Sequence, residues 1–234
     1  MPGFTGTLLN VGAVLVGTGL GLLLGARLPE RVRAATMAGL GLVVLVTGVQ
    51  LALRSSNPLV LLGSVVIGAA IGGLLGIDEA LERVGTAFEQ RLSAGSPGRW
   101  GRASEAFVTS SLVFCVGPMT IVGSIQDGLT HDYSVLALKS GLDLIASTLF
   151  ASTLGPGVLL SAVTVLVYQG GLALAASGAR QFLTDDVVRE MTATGGVMIL
   201  GIGLRLLEIK RLPVGNLLPA LVVAPLVASV AARL

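Results

Sequence analysis

The sequence predicts an all-α, polytopic transmembrane helix bundle of about eight spans, and three observations predict it. Hydrophobic residues fill 53% of the 234 positions and charged residues only 12%, a mean hydropathy of +0.90 that a water-soluble domain of this length does not carry. The apolar residues come in runs of roughly 20, the length that crosses a hydrocarbon core. Glycine occupies 33 positions while aromatics make up 4%, so small residues rather than large side chains fill the contacts between helices.

The runs fall at 5–26, 34–53, 57–76, 104–125, 134–153, 156–178, 188–208 and 214–233. The first begins near Phe4 with no basic segment before it and reads as a retained span rather than a cleaved signal. It carries Gly17, Gly21 and Gly25, and the third carries Gly68, Gly72 and Gly76; each ladder, at spacing four, lays a smooth packing face along one side of its helix. Such faces join helices within one chain or between two copies, so a homodimer is one expected outcome. After the third run, Ile77, Leu81, Val84 and Phe88 recur at helical spacing opposite Asp78, Glu79, Glu82, Arg83 and Glu89, which reads as an interfacial amphipathic helix. The turn-rich loop Ser93–Arg102 follows. One membrane domain thus covers 1–234: a first repeat of three spans at 1–76, the interfacial helix and loop at 77–103, a central broken-helix pair at 104–155 and a second three-span repeat at 156–234.

The fourth run contains Val116–Gly128, reading Val-Gly-Pro-Met-Thr-Ile-Val-Gly-Ser-Ile-Gln-Asp-Gly. Gly117 and Pro118 break the helix, and the backbone groups they free are tolerated at membrane depth only inside protein or beside a water-filled cavity. The segment near 117–128 is either one kinked span, for eight in all, or a re-entrant pair, for seven.

Residues 28–53 align with 183–208 at a constant offset of 155: Leu28, Val32, Gly41, Leu45, Gly48 and Leu51 match Leu183, Val187, Gly196, Leu200, Gly203 and Leu206. The matched spans are the second and seventh, so the repeats run in opposite directions through the membrane, as in secondary transporters. With eight spans and both termini outside, the cytoplasmic segments hold Arg27, Arg31, Arg33, Arg83, Arg91, Arg99, Arg102, Arg205, Lys210 and Arg211, as the positive-inside rule favours.

Polar residues inside the spans are the candidates for function. Lys139 and Asp143 lie one turn apart in the fifth span, with Ser147 a further turn on and Ser140 alongside; ionisable groups there must pair or meet water. They form either a neutralising ion pair or the lining of a pathway. Next to the break, Ser124, Gln126 and Asp127 offer oxygen ligands to a cation, or the broken helix directs its dipoles at an anion. Asp127 alternatively caps a helix or sits in the outer loop with Asp132. Asn10, Gln50, Gln169 and Asn216 are buried amides in need of partners, with Asn10 and Asn216 as secondary pathway candidates.

Several classes are excluded or disfavoured. The basic residues are dispersed over short loops, so no nucleic-acid-binding face is expected. Cys115 and His131 are single, leaving no intrachain disulfide, metal cluster or cofactor set; His131 reads as a solvated loop residue. No G-x-S-x-G elbow or phosphate-binding loop occurs, so neither an enzyme nor an ATP-driven pump is expected.

Gly6–Gly12, the stretch Phe107–Gly128 with its Gly-Ser-Ile-Gln-Asp-Gly element, Lys139–Asp143 and Phe150–Gly155 resemble the bacterial membrane proteins grouped as the domain of unknown function 554 family, over essentially the whole chain. The resemblance implies a multi-pass protein of the bacterial cytoplasmic (inner) membrane, related to transport, without an established substrate and with no catalytic residues to carry over. The expected function is a secondary transporter or channel for a small solute or ion, its pathway running between the broken fourth span and the polar face of the fifth. The alternative is a membrane-embedded sensor or assembly partner without transport activity.

Overall fold

The computed structural model describes residues 3–25, 29–81, 83, 102–179 and 183–231. Among these every regular element is helical: α1 (Thr5–Gly25), α2 (Glu30–Ala52), α3 (Pro58–Leu75), α4 (Ala103–Cys115), α5 (Pro118–Thr130), α6 (Ser134–Leu154), a 3-10 turn (Pro156–Leu160) leading into α7 (Ser161–Leu174), α8 (Ala176–Ala179), α9 (Asp185–Leu206), a second 3-10 turn (Val214–Leu217) and α10 (Ala220–Ala231). Residues 77–81 and 83 are helical too; the rest of the expected amphipathic helix and the loop to 101 lie outside the described residues.

Local chemistry explains the ends. Asn57 caps α3 by accepting from the Leu59 and Val60 amides at 3.1 and 3.4 Å, Pro58 fills the first turn where its missing N–H costs nothing, and Gly76 closes the helix in the left-handed region at φ 60°. Gly76 is therefore a cap rather than the last rung of a packing ladder. Thr184 caps α9, which opens on Asp185 and Asp186 and ends on Arg205, each charge complementing the helix dipole. On the bundle surface the pattern is that of a membrane protein: Leu74 is 89% exposed and Leu53 79%, while many polar side chains are fully enclosed.

The chain forms two compact units: Met1–Thr36, Leu81–Cys115 and Met119–Ala179 in the first, and Met37–Ala80, Val116–Pro118 and Arg180–Leu234 in the second. In the first, α1 runs parallel to α6. Gly6 meets Leu136, Gly17 meets Leu144 and Ser147, Gly21 meets Thr148 and Ala151, and Gly25 meets Ser152. The glycine ladder of α1 is thus consumed by packing within the chain.

In the second unit α3 runs antiparallel to α10 and the turn before it, with Gly68 on Ala220 and Gly72 on Asn216. α2 and α9, which contain the two aligned sequence blocks, are likewise antiparallel. A Cβ on Gly48 would lie 2.6 Å from the Leu200 nitrogen, and one on Gly203 would lie 2.6 Å from Leu45 Cγ. Gly41 faces Leu206 and Gly196 faces Leu51 in the same way. The offset of 155 exchanges the members within each pair of contacts, so glycine opposes leucine in both.

These directions bear on the bent pair. α4 and α5 are inclined by 61°, and seven other helical stretches are long and apolar enough to span a bilayer. Without a net crossing by α4 and α5, α6 would be the fourth span and antiparallel to α1, while α9 and α10 would be parallel to α2 and α3. All three pairings have the opposite sense, the one expected of a bent pair that is the fourth of eight spans.

Candidate functional site

The break itself is held by side chains. Gly117 adopts φ 150°, which glycine tolerates best, and Pro118 has no N–H to give to the Phe114 carbonyl one turn back. The Thr120 hydroxyl donates to that carbonyl instead, at 3.0 Å and buried.

Beyond the break, α5 turns Ser124 and Asp127, three residues apart, to one face, and both are 0% exposed. Asp127 Oδ2 accepts from the Gly6 amide at 2.9 Å, the first turn of α1, where a carboxylate complements the helix N-terminus. Asp127 Oδ1 and the Ser124 hydroxyl have no hydrogen-bond partner. Gly128 rests on the Ala173 backbone of α7, and Gly170 on α7 rests against Phe4 and Thr7. Three helices therefore meet around Asp127.

The helices that meet there carry further orphaned atoms. Thr7 Oγ1, Asn10 Oδ1 and both polar atoms of Gln169 are buried without partners. Asn10 donates through Nδ2 to Asp143 Oδ2 at 3.0 Å, and Lys139 pairs with the same carboxylate within α6. All three are buried, Lys139 and Asp143 at 6% and 7% exposure. Lys139 neutralises Asp143, and among the described residues no cation stands against Asp127.

Three proposed pathway residues, Gln126, Ser147 and Asn216, and the neighbouring Ser140 stand apart from this centre or are occupied. Gln126 points outward and donates to Asp132 at 2.6 Å, separated from its neighbour Asp127 by helix geometry. Ser147 is buried, but its hydroxyl bonds back to the Leu144 carbonyl at 3.1 Å and its side chain is packed under Gly17. Ser140 similarly bonds back to Leu136. Asn216 belongs to the second unit, where it accepts from the Asp78 amide at 2.8 Å while Asp78 accepts from the Gly215 amide at 2.8 Å. Gln50, expected to be a buried amide, is exposed on α2. His131 is exposed in the short turn between α5 and α6, and Cys115 is a buried free thiol.

Two residues escaped the sequence reading. Thr7 sits in an apolar run where a hydroxyl ordinarily bonds back to its own helix, so nothing distinguished it. Glu190 is a carboxylate at 3% exposure whose oxygens accept from Ser55 Oγ at 2.7 Å, Ser56 N at 2.8 Å, Ser56 Oγ at 3.1 Å and Asn57 N at 3.2 Å, fastening the α2–α3 turn to α9. Its signal, an acid inside an apolar run, was masked by Asp185, Asp186 and Arg189 just before it.

Residues 5–229 match the family described as "Protein of unknown function (DUF554)". The chain belongs to this family. It is 35% identical over 224 residues to the uncharacterized protein YqgA of Escherichia coli (strain K12), covering 94% of each chain. It is 27% identical over 226 residues to the uncharacterized membrane protein YdfK of Bacillus subtilis (strain 168), covering 95% of this chain and 94% of that one. No solved structure matches it. The family resemblance and the helical membrane-protein fold read from the sequence both hold; this DUF554 member is a membrane protein.

Proposed function

We propose that this DUF554 protein is a secondary transporter or channel that moves a small solute or ion across the bacterial cytoplasmic membrane. The observation that carries the reading is Asp127, fully enclosed in an apolar bundle with one oxygen unpaired and orphaned polar atoms around it. Buried polar atoms without partners cost about 1–3 kcal/mol each, more when charged, so a purely structural core has no use for several together. The Lys139–Asp143–Asn10 group borders the pathway, with Lys139 setting the charge of Asp143.

The reciprocal α2–α9 contacts support inverted repeats, the arrangement in which a site near the midplane is exposed alternately to either side. Eight crossings put both ends of the span series on one face, and the distribution of arginine and lysine favours the outside. Assembly as a homodimer is compatible with this reading. The rival reading, a sensor that binds partners through its glycine faces, loses support because Gly17, Gly21, Gly25, Gly68 and Gly72 are packed within the chain.

The test is sodium and proton movement through proteoliposomes containing the parent protein, Asp127→Asn and Asp143→Asn. Both variants should lose flux; parental flux in both sinks the mechanism.

A further inference from the structure

We infer that the centre between α1, α5 and α7 binds a monovalent hard cation of the sodium class, through Asp127 Oδ1 together with Thr7 Oγ1, Asn10 Oδ1, Ser124 Oγ and Gln169 Oε1. The inference rests on the reading of this centre as part of a permeation pathway and names what the pathway holds.

The donor set selects the class. All five residues are 0% exposed and each of the named oxygens lacks a hydrogen-bond partner. Carboxylate, amide and hydroxyl oxygens are the ligands of hard cations, whereas soft metals call for thiolate or imidazole. Contacts between the helices bring the segments that carry the five together. Asp127 is tied to Gly6, the residue before Thr7; Asn10 follows Thr7 by three positions; and Gln169 precedes Gly170, which packs on Phe4 and Thr7. Ser124 shares its face of α5 with Asp127.

Charge selects valence. Lys139 and Asp143 neutralise one another, so among the described residues of this centre an ionised Asp127 contributes the remaining negative charge. A monovalent cation balances it, while a divalent one would leave an uncompensated positive charge in a low-dielectric interior. Electrostatics of the backbone agree: Asp127 lies in the last turn of α5, where the dipole is negative, and its other oxygen already answers the positive start of α1. An anion would face an unpaired carboxylate.

The experiment is equilibrium binding of radioactive sodium to the purified full-length protein in detergent, with melting curves recorded with and without sodium chloride. The parent should bind sodium saturably and melt higher in its presence. Asp127→Asn should weaken binding by at least roughly tenfold, or about 1.4 kcal/mol. Thr7→Val, which keeps the side-chain shape, should weaken it too. Gln126→Ala, whose side chain faces Asp132, should bind as the parent does. Should Asp127→Asn fail to fold, Thr7→Val and Gln169→Leu decide. Absence of saturable sodium binding by the parent, preference for magnesium over sodium, or parental affinity in the folded variants overturns the assignment. Binding is read without flux, so the two ideas fail separately. Sodium held by a protein that moves nothing removes the transport reading and leaves the site; flux without bound sodium does the reverse.

Discussion

Asn10 and Asp143 join α1 to α6 through a 3.0 Å hydrogen bond, made to the same carboxylate oxygen that pairs with Lys139. A buried pair of this kind is poor evidence of stability in itself, because the cost of removing two charges from water offsets their attraction. Removing one partner is another matter. Asp143→Leu leaves a buried ammonium unpaired and should lower unfolding stability by about 3–5 kcal/mol, whereas the double variant Lys139→Met, Asp143→Leu should recover most of that loss. Chemical denaturation in detergent measures both; a single variant as stable as the parent would show that the ammonium finds another partner.

Glu190 should matter for stability rather than for flux. Glu190→Gln keeps one acceptor oxygen in place of two charged ones, and with hydrogen bonds to charged groups worth about 1.5–3 kcal/mol, a loss of about 2–4 kcal/mol is expected. Hydrogen exchange at the Ser56 and Asn57 amides should accelerate, while amides within α1 keep their protection. Unchanged exchange at 56 and 57 would mean that Glu190 does not hold this turn in solution.

Neighbouring glycines on α3 provide a packing test. A Cβ at Gly72 would run into the Asn216 backbone, while one at Gly73 meets nothing within 4 Å. Gly72→Ala should therefore destabilise by about 1–3 kcal/mol through overpacking. Gly73→Ala should stay within about 0.5 kcal/mol of the parent. Equal melting temperatures for the two variants would contradict the α3–α10 packing.

Asp132 supplies a pH dependence outside the membrane. Its carboxylate accepts from the Ser134 amide at 3.0 Å and from Gln126, and the backbone bond to Ser134 above all holds its pKa below the ordinary aspartate value. A depressed folded pKa means that the contribution to stability is complete above the unfolded value of about 3.9 and fades as pH falls through the lower folded value. Acid unfolding should thus be shallower in Asp132→Asn than in the parent below about pH 4. Identical acid profiles would show that the turn gains nothing from the charge.

The spans were legible because hydrocarbon imposes length and apolarity on each segment independently: the run expected at 134–153 is α6 at Ser134–Leu154, and that at 188–208 is α9 at Asp185–Leu206. The Lys139–Asp143 pair was legible for a similarly local reason, a spacing of four on one helix. What depends on rotation about a helix axis was less so. Gln126 and Asp127 are adjacent in sequence, and one degree of freedom sends the first toward Asp132 and the second into the interior. Thr7 and Gln169 join Asp127 only through tertiary packing, which periodicity does not encode. The number of crossings could not be read from Gly117 and Pro118 either; it turns on the directions of three helix pairs that lie far apart in sequence.

The hydroxyl of Thr120 gives the α4–α5 break one more property. An amide is fixed to the axis of its helix, so a main-chain hydrogen bond across a bend breaks when the angle changes. A threonine oxygen is held instead by a stiff, staggered χ1 torsion, so the Thr120 bond to the Phe114 carbonyl ties the two segments to each other across the bend. The interruption at Gly117 and Pro118 is in that sense a stapled corner: the carbonyl that the proline leaves behind is the one that fastens the bend.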